Sequence, residues 1–156
     1  MIDRSPAEPD SQVPRFEPVG AEWTVWSPRD PTRFSGQAIG DMLVRREGER
    51  SIRLRLHPEV RHTNISSRVH GGVLMTMIDV AMFTAAQTVT GKELNGSVTL
   101  DIGCNFMDSG VSGTPVDVVA ECLRETGRLV FLRGLIVQDD RTLASFNATL
   151  RKPGTR

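Results

Sequence analysis

The sequence predicts an α+β domain in which an antiparallel β-sheet wraps around one long central helix. Three observations carry this prediction. Residues 71–90 contain one charged side chain, Asp79, and place apolar or small side chains on every face of a helical wheel. Runs before and after this segment alternate apolar and polar side chains with the period of a half-buried strand. The last of those runs are separated by three-residue breaks, Glu125-Thr126-Gly127 and Asp139-Asp140-Arg141, too short for crossover helices, so neighbouring strands must be antiparallel.

Taken in order, the chain begins with a Pro-rich stretch. Six of the nine prolines fall within residues 1–35, apolar periodicity is absent there, and Pro28 and Pro31 exclude a helix. Residues 1–37 therefore read as an N-terminal extension lying outside the main domain, which spans 38–152. The extension holds both tryptophans, Trp23 and Trp26. Either they pin it onto the domain by burying aromatic area, the simpler reading, or they let it lid a pocket. Residues 38–57 read as two strands, with Ile52, Leu54 and Leu56 alternating against Arg53, Arg55 and His57, and Gly48 supplying the turn. Residues 58–69 are polar and irregular, a loop. Gly71-Gly72 opens the long apolar segment and Gly91 closes it. Residues 97–107 alternate Val98, Leu100, Ile102, Cys104 and Phe106 against Ser97, Thr99, Asp101, Gly103 and Asn105. Runs at 115–124, 128–138 and 142–151 complete an order β-β-α-β-β-β-β of about six strands. Neither internal repeats nor low-complexity tracts interrupt it.

Composition excludes several classes of function. A chain of 156 residues can bury a real core without disulfides or metal. Nineteen basic residues, seventeen of them Arg, balance nineteen acidic ones, which argues against a nucleic-acid or membrane-surface footprint. Two cysteines cannot make a disulfide scaffold, and both lie on the apolar phase of strands, as core residues do. The three histidines lack metal-binding spacing, so neither metal nor cofactor is expected. The N-terminus lacks the apolar core of a secretory signal. Residues 73–90 contain Asp79, Gln87 and four threonines, too polar for a membrane span. The expectation is a cytoplasmic protein.

Three places can carry chemistry. Asp79 would bury a carboxylate in an apolar helix, which is costly unless it is hydrogen-bonded or protonated. It is either a structural carboxylate held by donors or a general base or nucleophile. His70-Gly71-Gly72 enters the helix N-terminus, where free N–H groups can form an oxyanion hole, although a tight turn would also use the glycines. Asn64, six residues before His70, can hold a water or a carbonyl, or simply cap a turn, the preferred reading taken singly. A GxSxG elbow, a P-loop and a strand-following GxGxxG are all absent.

Together, His62-Thr63-Asn64, Val69-His70-Gly71-Gly72 and Asp79 followed by Ala81 resemble the signature of hotdog-fold acyl-CoA thioesterases. The likeness is to the phenylacetate-pathway type within the 4-hydroxybenzoyl-CoA thioesterase superfamily. That pattern is an Asn, a His-Gly-Gly six residues on, and a carboxylate nine residues after the His. Val98-Thr99-Leu100-Asp101 resembles the family's next strand, and the likeness covers roughly residues 38–152. One departure is Ser67, where the family often has Gly; another is the extension at 1–37.

The resemblance implies a hotdog fold and hydrolysis of an aryl- or fatty-acyl-CoA thioester without metal. In it Asp79 activates water or attacks, and the Gly71 N–H stabilises the oxyanion. Asn64 and Thr99 position water, His70 orients the Asn64 region, and Gly72 and Val73 contact the substrate. A non-catalytic acyl-CoA-binding module is the rival, and Asp79 argues against it, because a pure binder has no use for that carboxylate. A hotdog dehydratase or hydratase would need an acid paired with a catalytic His, and none lies near His70 in sequence. The resemblance also implies a homodimer or dimer of dimers with shared active sites. Gly71 and Asp79, eight residues apart on one helix, are separated by about 12 Å along its axis, so one thioester cannot reach both in a single chain.

Overall fold

The computed structural model describes residues 14–154. After residue 40 the chain follows the expected order. Strands β3 (Met42–Arg46) and β4 (Ser51–Leu56) precede a 3₁₀ turn at Val60–His62 and helix α2 (Gly71–Thr90). Four strands follow: β5 (Val98–Phe106), β6 (Val116–Glu125), β7 (Leu129–Gln138) and β8 (Arg141–Arg151). All pairings are antiparallel, in one sheet of order β1-β2-β3-β4-β6-β7-β8-β5, where β1 (Arg15–Val19) and β2 (Trp23–Ser27) precede β3 in the chain. Ile52, Leu54, Val116, Val118, Ala120, Leu132, Ile136, Ala144, Ala148 and Leu150 line the inner face of the sheet, and all are buried against the helix.

Eight strands stand where about six were expected, and the difference lies in the extension. Residues Arg15–Val19 (β1) and Trp23–Ser27 (β2) form a hairpin that continues the same sheet, with Thr24, Val25 and Trp26 pairing with Val44, Leu43 and Met42. Residues 15–27 of the extension thus belong to the main fold rather than lying outside it as the prolines suggested; residues 1–13 fall outside the described residues. Prolines exclude a helix, but they permit short edge strands, and the open edge of β3 supplies the ladder. Side-chain alternation then sends the two tryptophans to opposite faces. Trp26 enters the core, 5% exposed. Trp23 lies on the outer face beneath the guanidinium groups of Arg45 and Arg55, 4.7 and 4.8 Å from its ring centre. Both rings thus pin the hairpin onto the domain. Past Pro31 the extension does form a short helix, α1 (Phe34–Ala38), because a proline bars helix only at and just before its own position, and this helix joins the hairpin to β3.

Arg55 is held in place by a second anchor. Asp117, buried on β6, accepts hydrogen bonds from Arg55 Nε at 2.7 Å and Nη2 at 2.8 Å, and from Arg53 Nη1 at 2.9 Å. Burial alone would raise its pKa, but the donors from Arg55 and Arg53 outweigh it and hold the carboxyl below its ordinary value.

Helix α2 is capped at both ends. The His70 side chain accepts from the Gly72 N–H, and Gly91 ends the helix at φ 65°, the left-handed region that glycine occupies freely. By length and hydropathy this helix could cross a membrane, yet half of it is buried within the fold, which identifies it as a core helix. It is not covered on all sides, as its all-round apolarity suggested. One sheet covers one side, and Gly72 is exposed while Thr76, Asp79 and Phe83 on the same stripe are half-buried. Of the cysteines, Cys122 is fully buried and Cys104 packs against the core, and burial pushes both thiols up, away from nucleophilic character.

Candidate active site

The loop before α2 is built from local hydrogen bonds. Asn64 Oδ1 accepts from the backbone N–H groups of Ser66 at 2.9 Å and Arg68 at 3.1 Å, and the Asn64 N–H donates to Arg68 O at 2.7 Å. This is the turn-capping role, made by the acceptor half of the amide. Ser67 takes φ 56°, so it adopts the left-handed conformation that a glycine would adopt there. The departure at this position leaves the turn in place at a cost in backbone strain.

His62, buried beneath the loop, accepts the Glu59 N–H at Nδ1 (2.8 Å) and lies 3.1 Å from Ile39 O at Nε2. With Nδ1 accepting, Nε2 carries the proton and donates to Ile39 O. Burial, then the neighbouring Arg61 charge, lower its pKa, so it stays neutral and structural. His62 O in turn accepts the His70 N–H at 2.9 Å, which fixes where α2 begins.

At that start the first amides differ in their partners. Gly72 N–H donates to His70 Nδ1 at 2.8 Å, and the Val73 and Leu74 N–H groups donate to His70 O. The Gly71 N–H has no partner among the described residues, so it is the one first-turn donor left to a ligand. The His70 side chain therefore organises the helix N-terminus. It makes no hydrogen bond to Asn64 among the described residues, and its connection to that loop runs through its own backbone N–H.

Two turns along α2, half-buried Asp79 accepts a hydrogen bond at Oδ1 from the Thr99 hydroxyl, 3.0 Å away. Alternation along β5 places Thr99 with Asp101, Gly103 and Asn105, on the face away from the helix. The structure overturns that placement. The register slips between Thr99 and Asp101, leaving Leu100 as an extra residue, so Thr99 pairs with Leu150 and Ile102 with Ala148. Leu150 and Ala148 both face the core. The bulge thus turns Thr99 onto the helix side, within reach of Asp79.

Asp79 borders a cavity of about 270 Å³. One wall is α2 from Asp79 to Gln87, another is the connection from Leu94 to Ser97, and the hairpin closes it with Pro14, Phe16 and Trp26. Phe83 lines it, whereas Met77 and Met82 on the same helix are fully buried core. Phe16, Leu94 and Ser97 gave no signal in the sequence. The Ser97 hydroxyl is buried without a protein partner among the described residues.

No group of three or more potential metal ligands occurs among the described residues. The arrangement offers a carboxylate with a hydroxyl donor, a free helix N-terminal N–H and an adjoining half-apolar pocket, a set suited to attack on a carbonyl and to holding the charge that develops.

Comparison with solved structures agrees with the fold. The chain resembles thioesterase superfamily member 2 of zebrafish at TM-score 0.69 and 18% identity, covering 78% of this chain and 88% of that one. It resembles the E. coli PaaI protein of the phenylacetic acid degradation operon at 0.60 and 19%, covering 67% and 73%. It resembles a conserved protein of Pseudomonas aeruginosa at 0.60 and 25%, covering 66% and 81%. The sequence matches no curated protein. The antiparallel sheet around one long helix is the hotdog fold of these neighbours. The thioesterase superfamily profile matches residues 67–145, the stretch from the His-Gly-Gly loop through the bulged strand to β8, and the chain belongs to that superfamily.

Proposed function

We propose that the protein hydrolyses an acyl-CoA thioester to the free acid and CoA, with Asp79 as the activating carboxylate. The observation that carries this reading is the Thr99–Asp79 hydrogen bond at 3.0 Å, made possible by the bulge, at the border of the pocket. Thr99 occupies one carboxylate oxygen and leaves the other to take a proton from water or to attack. Attack on the thioester carbonyl places a negative charge on its oxygen, and the free Gly71 N–H supplies a donor for it. Collapse expels the CoA thiolate, which takes up the proton that Asp79 removed from water; where Asp79 itself attacks, collapse leaves a mixed anhydride on Asp79, and water then cleaves it to the free acid and the free carboxylate, its other proton passing to the thiolate. The Asn64 amide NH₂, unused within its loop, holds the water, and Gly72 and Val73 frame the thioester at the helix N-terminus.

The site takes its two halves from two copies of the chain. Gly71 and Asp79 stand about 12 Å apart along α2, too far for one carbonyl. The N-terminal part of the helix stripe, at Gly72 and Thr76, is not covered by the chain's own sheet, and at Asp79 the stripe opens onto the cavity. At the sheet's end, β5 exposes Val98, Leu100 and Phe106. A two-fold axis that sets two α2 helices side by side, antiparallel, covers the stripe and brings Gly71 of one copy towards Asp79 of the other.

The test is thiol release from a panel of acyl-CoAs. Wild type turns over at least one member, and Asp79→Asn, nearly isosteric, folds normally and loses on the order of 10²–10⁴ in rate. Saturable acyl-CoA binding without thiol release would make the protein a binding module instead. Near-wild-type turnover by Asp79→Asn would make the carboxylate structural.

A further inference from the structure

We infer that the N-terminal hairpin is part of the substrate site: it closes the far end of the acyl pocket, and Phe16 sets the length of acyl group that fits. This inference rests on the acyl-CoA reading above. The lining of the cavity carries it. On α2 the wall begins at Asp79 and continues through Phe83 to Gln87, eight residues or about 12 Å along the axis, running away from Gly71. An acyl group whose carbonyl lies beside Asp79 and which follows this wall reaches Leu94 and the hairpin. There Phe16 and Trp26 stand across its path.

The pocket suits the acyl half of the substrate rather than the CoA half. Phe16, Trp26, Phe83, Val80 and Leu94 supply apolar and aromatic surface, and among the described residues that line it none is Arg or Lys. In a chain with seventeen arginines, the phosphates of CoA find their partners elsewhere. The two aromatic residues of the hairpin differ in what they can tolerate. Trp26 is a core residue at 5% exposure, so changing it disturbs the fold, whereas Phe16 is 40% exposed and caps the pocket from the edge strand. Phe16 is therefore the position at which pocket length can change without loss of the core.

The experiment measures kcat/KM for acetyl-, hexanoyl-, decanoyl- and palmitoyl-CoA with wild type, Phe16→Ala and Phe16→Trp, alongside melting temperatures. Shortening the side chain raises the palmitoyl-to-hexanoyl ratio by about tenfold, and enlarging it lowers the ratio, because each lost or gained contact at a pocket end discriminates by this order. Equal changes across all four substrates would place the hairpin against the CoA arm and overturn the proposal. So would an unchanged ratio in both variants. Calorimetric binding of non-hydrolysable thioether analogues of the same chain lengths separates this inference from the catalytic one. If wild type binds the analogues with a length limit that Phe16→Ala relaxes, yet hydrolyses no thioester, the pocket stands and the hydrolytic reading falls. If it hydrolyses thioesters with a length profile indifferent to residue 16, the reverse holds.

Discussion

Thr99→Val tests the Thr99–Asp79 pair with little change in shape, since valine replaces the hydroxyl with a methyl group. The hydrogen bond is 3.0 Å long and its acceptor is a carboxylate. Bonds to charged groups contribute about 1.5–3 kcal/mol, and because Thr99 is exposed and Asp79 only half-buried, the lower end applies. About 1.5 kcal/mol corresponds to roughly a tenfold change in rate if the bond matters mainly in the transition state. Steady-state assays on the best acyl-CoA should therefore show kcat down by about tenfold with KM nearly unchanged. Thr99→Ser, which keeps the hydroxyl, should recover most of the loss, and circular dichroism should find all three proteins equally folded. Wild-type kcat in Thr99→Val would remove the hydroxyl from the mechanism. Equal impairment of Thr99→Ser and Thr99→Val would attribute the effect to packing of the bulge.

Shared sites predict complementation. Asn64→Ala and Asp79→Asn each give a nearly inactive homodimer, but a hybrid dimer collects both lesions in one site and leaves the other whole. Random co-refolding makes about half the dimers hybrid, so about a quarter of wild-type activity should return. No recovery, with subunit exchange shown independently by mass, would refute a shared site. The Asp117 cluster predicts acid-sensitive stability. Its carboxyl has a lowered folded pKa against an ordinary value of 3.8, so its stabilising contribution is complete above that value and is lost as pH falls through the lower folded pKa. Asp117→Asn should cost about 2 kcal/mol at neutral pH in urea unfolding, with the gap to wild type closing below about pH 3.8. A gap independent of pH would show that packing, not charge, stabilises this cluster.

Much of this protein was legible from spacing alone. An uncharged apolar segment flanked by His-Gly-Gly and Gly91 defined α2, because helix start, helix stop and burial all write themselves into neighbouring residues. Turn residues between alternating runs likewise defined β6, β7 and β8. The grouping of Asn64, His70, Gly71 and Asp79 into one site came from the resemblance to the thioesterase signature, since local rules taken singly left each of them open to a structural role. The faces of the edge strands did not. Period two assigns Thr99 to the outer face, and only pairing with β8, which skips Leu100, turns it inward. Nor could prolines and scattered apolar residues announce that residues 15–27 add two strands to the sheet or that Phe16 comes to border the pocket containing Asp79. Register and edge pairing depend on hydrogen bonds to strands far away in the chain, and a local pattern contains no record of the partner it will meet.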